Sequence, residues 1–315
     1  MLGGKMMRNC WRAVAASVVL VLVVCLAWAA DSPGGRVFRT PQPPAAAQLG
    51  DIWVNPKDGG EMVYVPAGEF LMGSSDAQIA ALIKSLPFTL PDFLKWVFEA
   101  DGPQRKVYLD GYWIYKCEVT VAQYRKFCQA TGREMPEAPA WGWQNDHPMV
   151  NVTWQEAADY AKWASVSLPT EAQWEKAARG TDGRSYPWGN GWDATRCANS
   201  VVKKLTSTQP VGSYAAGASP YGCLDMTGNV LEWCADWYDP AYYKRAPTRN
   251  PTGPAKAVRF EFLPGSIVLG ARVLRGGSWD NDLSAAFQCA SRPRHLSDDP
   301  TDRGNLSGFR CARTP

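Results

Sequence analysis

Few residues in this chain can hold a soft metal or act as nucleophiles, and they are dispersed. Of nine cysteines, seven lie beyond the N-terminal segment, at positions 117, 128, 197, 223, 234, 289 and 311. None belongs to a C-x-x-C pair, which argues against a zinc ribbon or a redox dithiol, and the odd count requires an unpaired thiol or an intermolecular bond. Disulfides are permitted outside the cytoplasm, but their pairing is left open. The two histidines, His147 and His295, stand far apart, one before a proline and one in a polar stretch, and each reads as a surface residue. Five aspartates, Asp280, Asp282, Asp298, Asp299 and Asp302, gather in the stretch 280–303. They suit a cationic or hydroxylated partner, or simply solvent.

The elements that must position these groups begin with an export signal. Lys5, Arg8 and Arg12 precede an apolar run over 13–26, and Ala27-Trp28-Ala29 supplies an A-x-A cleavage pattern. Because the run falls short of the roughly 20 residues that a bilayer span needs, residues 1–29 are expected to be cleaved rather than to anchor the chain. Cleavage removes three basic residues and no acidic one, leaving 30 of each sign. No Lys/Arg cluster interleaves with aromatics, so nucleic acid is excluded as a partner. Residues 30–50, rich in Pro and Ala, read as an extended tether, and 51–315 as one folded domain.

Within that domain, residues 62–65 and 69–72 are short β-branched and aromatic runs separated by Pro66-Ala67-Gly68, predicting paired strands. Three capping boxes, Thr120 with Gln123, Thr153 with Glu156 and Thr170 with Gln173, predict short amphipathic helices. Gly132 and Gly180 are placed to end the first and third. Beyond Gly180, turn residues dominate and little regular structure is expected. A fold with few backbone ladders must satisfy its polar groups through side chains, disulfides or ions.

Seven phrases then occur in one order: 62–74 (MVYVPAGEFLMGS), 148–154 (PMVNVTW), 168–179 (LPTEAQWEKAAR), 187–189 (PWG), 228–233 (GNVLEW), 275–278 (RGGS) and 308–310 (GFR). Together they resemble the formylglycine-generating-enzyme, or sulfatase-modifying-factor, family over about residues 51–315. The resemblance implies an α+β, irregular, C-type-lectin-like fold of low secondary-structure content. It also implies a calcium ion on Asp225, Glu232 and the backbone carbonyls of Gly228 and Val230, an all-oxygen set suited to a hard cation. A second family calcium site would use Asn199, but no acid follows it over 201–210, and Asn199 reads as a turn residue.

The family's oxidases bind copper through two cysteines, three and eight positions after the serine matched by Ser278. Here those positions hold Asn281 and Ala286. Monovalent copper needs thiolates, so copper is not expected; Cys289 alone cannot replace the pair and reads as core or disulfide. Another branch of the fold uses a three-histidine iron, which two histidines cannot complete. The resemblance therefore implies an exported, calcium-stabilised ligand-binding or accessory protein, whose protein, peptide or carbohydrate ligand would meet Trp279, Asp280, Asn281 and Asp282. Trp154, Trp174 and Trp233 read as packing; Trp141 and Trp143, in loops, could join Trp279 in that contact. Two alternatives stay open. One is a protein-modifying oxidase converting a sulfatase-type cysteine to formylglycine, with Ser278 and Cys289 as its catalytic residues. The other is a binding protein whose C-terminal segment is diversified by a retroelement.

Overall fold

A computed structural model describes residues 35–314 apart from positions 203, 264 and 293–299. The expected signal at 1–29, the start of the tether, His295, Asp298 and Asp299 lie outside the described residues.

The chain is α+β, with short elements joined by long turns. Five strands, β1 (Val37–Phe38), β2 (Ile52–Val54), β3 (Glu61–Val65), β6 (Tyr112–Tyr115) and β12 (Ala312–Arg313), form one sheet in the order β1-β2-β3-β6-β12. A second sheet of three has β7 (Leu231–Trp237) between β10 (Arg272–Arg275) and β11 (Ser307–Gly308). Two hairpins complete the strands: β4 (Gly68–Met72) with β5 (Arg105–Leu109), and β8 (Arg259–Leu263) with β9 (Ser266–Leu269). The two runs expected to pair with one another therefore do not. Met62 and Val65 face Tyr115 and Tyr112, whereas Phe70 faces Val107. Pro66-Ala67-Gly68, with Gly68 at φ 144°, turns the chain from one sheet into the next instead of closing a hairpin.

The helices are α1 (Asp76–Ser85), α2 (Lys95–Glu99), α3 (Val121–Thr131), α4 (Trp154–Trp163) and α5 (Glu171–Arg179). All three capping boxes form, each with its Thr hydroxyl accepting from the N3 amide and the N3 side chain accepting from the Thr amide. Ser75 and Gln78 make a fourth, unforeseen, at the start of α1. Gly132 and Gly180 end α3 and α5 with positive φ, as the glycine rule requires.

The expected tether is docked over its described part, from residue 35 onward. Asp51 accepts from the Arg36 side chain and from the amides of Arg36 and Gln48, and β1 lies parallel to β2. The core has two large parts. One gathers the aromatic faces of α3 and α4 with Trp113, Trp233 and Phe309; the other packs Trp174, Ala177 and Ala178 of α5 against the strands. Thr153→Ala should cost about 1 kcal/mol, read as a lower urea midpoint with unchanged slope, because it frees an amide at the start of α4.

Candidate functional site

The loop after Ser278 is held at both ends by α5. Arg275 donates to Glu171 Oε1 at 3.2 Å and Glu175 Oε2 at 2.6 Å. Arg292 reaches the same Glu171 with Nε at 2.6 Å and Nη2 at 3.1 Å, and its guanidinium lies over the rings of Tyr238 and Tyr243. Arg179, one turn on from Glu175, closes the set at 2.7 Å from Glu175 Oε1. All five side chains are buried. Glu171 stays below its usual value because Arg292 and Arg275 outweigh its desolvation. Asp101, which accepts from the Arg292 amide, is pushed up to about 7 by burial, and Asp236, which accepts from the Glu171 amide, to about 8.

Ser278 is fully buried, and both its amide and hydroxyl donate to Asn281 Oδ1, at 2.8 and 3.2 Å. Trp279 is also buried, edge-on to Trp141 at 5.5 Å, with Nε1 donating to the Asn305 carbonyl. Of the expected binding residues, Asp280 and Asp282 face solvent while Trp279 and Asn281 are built into the loop's own framework. Ala286 packs with Tyr186, Trp188, Trp192 and Phe287 in a small aromatic cluster. Cys289 is buried, its amide bound to the Ser185 carbonyl, and burial pushes its thiol up to about 12. Asn281, Ala286 and Cys289 thus occupy three different environments.

The turn carrying the expected calcium residues is tightly constrained. Gly228 has φ 80°, and a Cβ there would stand 2.2 Å from the Ala198 carbonyl oxygen. Asn229, also at positive φ, donates to Glu118 Oε1 at 3.1 Å and accepts from the Gln209 amide, while its carbonyl receives the Trp279 amide. Glu232, by contrast, is paired. Its Oε2 accepts from Trp174 Nε1 at 2.8 Å and Arg310 Nε at 2.6 Å, and its Oε1 from Arg310 Nη2 at 2.7 Å. These bonds use three of the carboxylate's four lone pairs and leave one on Oε1. Asp225 instead faces Glu118, and burial raises both carboxyls above their usual range. Val230 is fully buried. No group of three His, Cys, Asp or Glu side chains suited to a metal occurs among the described residues.

Two readings of single residues change or sharpen. His147 is buried, not on the surface: its Nδ1 lies 2.8 Å from Thr208 Oγ1, and its pKa falls through desolvation. The proline after it runs alongside Thr120, folding that loop over the start of α3. Asn199 bonds the carbonyls of its own turn, as a turn residue should. The charges that sequence reasoning missed, Glu118, Glu171, Glu175, Arg292 and Arg310, carry no spacing signature. The one available signal was α5, whose charged residues repeat through a helix of only nine residues rich in alanine.

The family model described as the sulfatase-modifying factor enzyme 1-like domain matches residues 49–315. The chain belongs to that family. It is similar to a formylglycine-generating enzyme of Streptomyces coelicolor, 31% identical over 86% of this chain and 95% of that protein. It is also similar to a hercynine oxygenase of Mycolicibacterium smegmatis, 30% identical over 82% of this chain and 62% of the relative. Among solved structures, PvdO from Pseudomonas aeruginosa shares the fold at a TM-score of 0.63 and 24% identity, over 86% of this chain and all of PvdO. Treponema denticola variable protein 1 shares it at 0.59 and 19%, over 87% and 100%. Membership in the sulfatase-modifying-factor family accounts for the seven ordered phrases, most of which meet at α5, β7 and the loop after β10.

Arg292→Ala should remove about 3–5 kcal/mol, since it leaves Glu171 with a weakened pair and releases one end of the loop; urea unfolding with limited proteolysis of 280–303 measures both effects. Asp236 binds its proton in the folded chain at pH values where the unfolded chain has lost it. Stability from this group is therefore full below about pH 4 and declines as pH rises through about 8. Asp236→Asn should flatten that decline in urea midpoints recorded from pH 5 to 8.5.

Proposed function

We propose that this family member is an exported ligand-binding or accessory protein without copper oxidase chemistry. The reading rests above all on the pair of positions where the family's oxidases carry cysteines. Asn281 there spends its side-chain oxygen on Ser278, and Ala286 contributes only a methyl group to an aromatic cluster. Neither offers sulfur to Cu(I). Cys289, buried and with a raised thiol pKa, is protonated at neutral pH and poorly suited to stand in. The exposed Asp280 and Asp282 and the half-buried Trp141 remain to meet a protein, peptide or carbohydrate ligand at the loop's outer face.

Calcium is the stabilising ion in this reading, drawn by Asp225, Glu232 and the carbonyls of Gly228 and Val230. Export follows from the N-terminal segment, with cleavage after Ala29. No helix of the described residues is long and apolar enough to cross a membrane.

Mature protein incubated with copper and a sulfatase-type cysteine peptide should show neither oxygen uptake nor loss of the thiol from the peptide mass. Conversion of the cysteine to an aldehyde would establish the oxidase alternative.

A further inference from the structure

One face of α1 borders a hollow instead of packed protein. Asp76, Ile79, Ala80 and Ile83 fall at the i, i+3, i+4 and i+7 positions of that helix, so they form one stripe, and the stripe lines a cavity of about 420 Å³. That volume lies within the range of small-molecule sites, about 300–1,000 Å³. Two remote segments close it. Gly102 and Pro103 follow α2, and Lys244 ends the helical turn Tyr242–Lys244 beyond β7. Both walls are fixed from behind. A Cβ on Gly102 would stand 2.9 Å from the Ser74 carbonyl oxygen and 3.0 Å from Ile79 Cδ1, so a side chain there would push this wall away from α1. Arg292 bonds the Ala100 carbonyl at 3.1 Å and, through its amide, the Asp101 side chain at 2.9 Å. Arg105 donates to the carbonyls of Tyr243 and Ala246, on either side of Lys244, at 3.2 and 2.6 Å.

The cavity is apolar at its floor and charged at its rim. Ile79 is buried and Ile83 half-buried, whereas Asp76, Glu99 and Lys244 are exposed. Among the described residues none of these three charges forms an ion pair, and Lys95, which senses Glu99, is bonded to Asp92. Charges of both signs therefore face one apolar hollow without meeting each other. This combination selects its occupant. A ligand bearing only a carboxylate is repelled by the two acids, and one bearing only an amine is repelled by Lys244. An uncharged apolar molecule takes water from all three charges and returns nothing. A molecule that carries ammonium and carboxylate together, next to an apolar group, meets every part of the lining.

We propose that this cavity binds a free α-amino acid with an apolar side chain. Asp76 and Glu99 take its ammonium, Lys244 takes its carboxylate, and its side chain lies on Ile79, Ala80 and Ile83. The site is separate from the outer face of the loop after Ser278, although Arg292, which anchors that loop, also braces the cavity wall. The assignment goes beyond the functional reading above and needs neither calcium nor the absence of copper chemistry.

Isothermal titration of the mature protein with L-leucine and with L-phenylalanine tests it. One molecule per chain should bind, with a dissociation constant below about 10 mM. N-acetyl-L-leucine lacks the ammonium and L-leucinamide the carboxylate; each should bind about threefold to fivefold more weakly than L-leucine, the measure of one solvent-facing ion pair. Lys244→Gln should remove the preference for L-leucine over L-leucinamide. Ala80→Trp, at an exposed helix position, should fill the hollow and abolish binding without lowering the melting temperature. If it does melt lower, Lys244→Glu supplies the comparison and should weaken L-leucine about tenfold. Asp280→Asn, on the loop, should bind L-leucine as wild type does. Wild type that takes up neither amino acid at about 10 mM overturns the site, and so does L-leucine affinity unchanged in Ala80→Trp or Lys244→Glu. Equal affinity for L-leucine and its two capped forms defeats recognition by paired charges, and loss of L-leucine binding in Asp280→Asn defeats the placement beside α1. None of these failures touches the copper and sulfatase-peptide assay, which decides the functional reading on its own.

Discussion

The structure turns on charges buried where water cannot reach them. Glu171 and Glu175, one turn apart on α5, are met by Arg275, Arg292 and Arg179, and Glu232 by Arg310. Desolvating so many ions is costly, and their mutual attraction repays it only when geometry and remaining hydrogen bonds are complete. Here they nearly are: Arg292 alone also binds the carbonyls of Ala100 and Asp239, and Arg179 those of Gly73, Gly183 and Arg184. Each arginine therefore ties together segments with little regular structure of their own. In a protein with short strands and long turns, these side chains do the work that ladders do elsewhere.

The same network explains how a loop poor in secondary structure keeps its shape. Arg275 stands just before Gly276 and Gly277, and Arg292 fourteen residues after Ser278, so both ends of the loop rest on one helix face. Between them the chain must pass close to other backbone. Gly277 lies where a Cβ would meet the Phe287 ring at 2.9 Å and the Ala286 carbonyl at 3.0 Å, and Gly228 where it would meet the Ala198 carbonyl. The R-G-G-S and G-N-V-L-E-W phrases are thus linked physically: Gly228 donates to the Gly276 carbonyl, and Trp279 to that of Asn229.

A scaffold braced in this way tolerates changes at its rim. With Asn281 and Ala286 in the positions where the family's oxidases carry cysteines, the loop keeps its anchors without those two thiols. That frame presents Asp280 and Asp282 outward.

Much of this was legible in the chain itself. Capping boxes are local, with partners three residues apart, so Thr120, Thr153 and Thr170 announced α3, α4 and α5, and Gly132 and Gly180 their ends. The ordered phrases identified the family and its α+β fold, and counting from Ser278 showed which positions lack thiols. The sequence could not show which distant charges meet. Glu171 and Arg292 are 121 positions apart, Glu118 and Asn229 111, and Glu232 and Arg310 78. Nothing in the spacing says that Glu232 pairs with Arg310 while Glu118 meets Asn229 and Asp225. Strand pairing failed for the same reason, since residues 62–65 and 69–72 are adjacent along the chain yet belong to different sheets. Local hydrogen bonds fix the helices; only tertiary closure, which brings remote charges together out of water, decides which carboxylate meets which arginine.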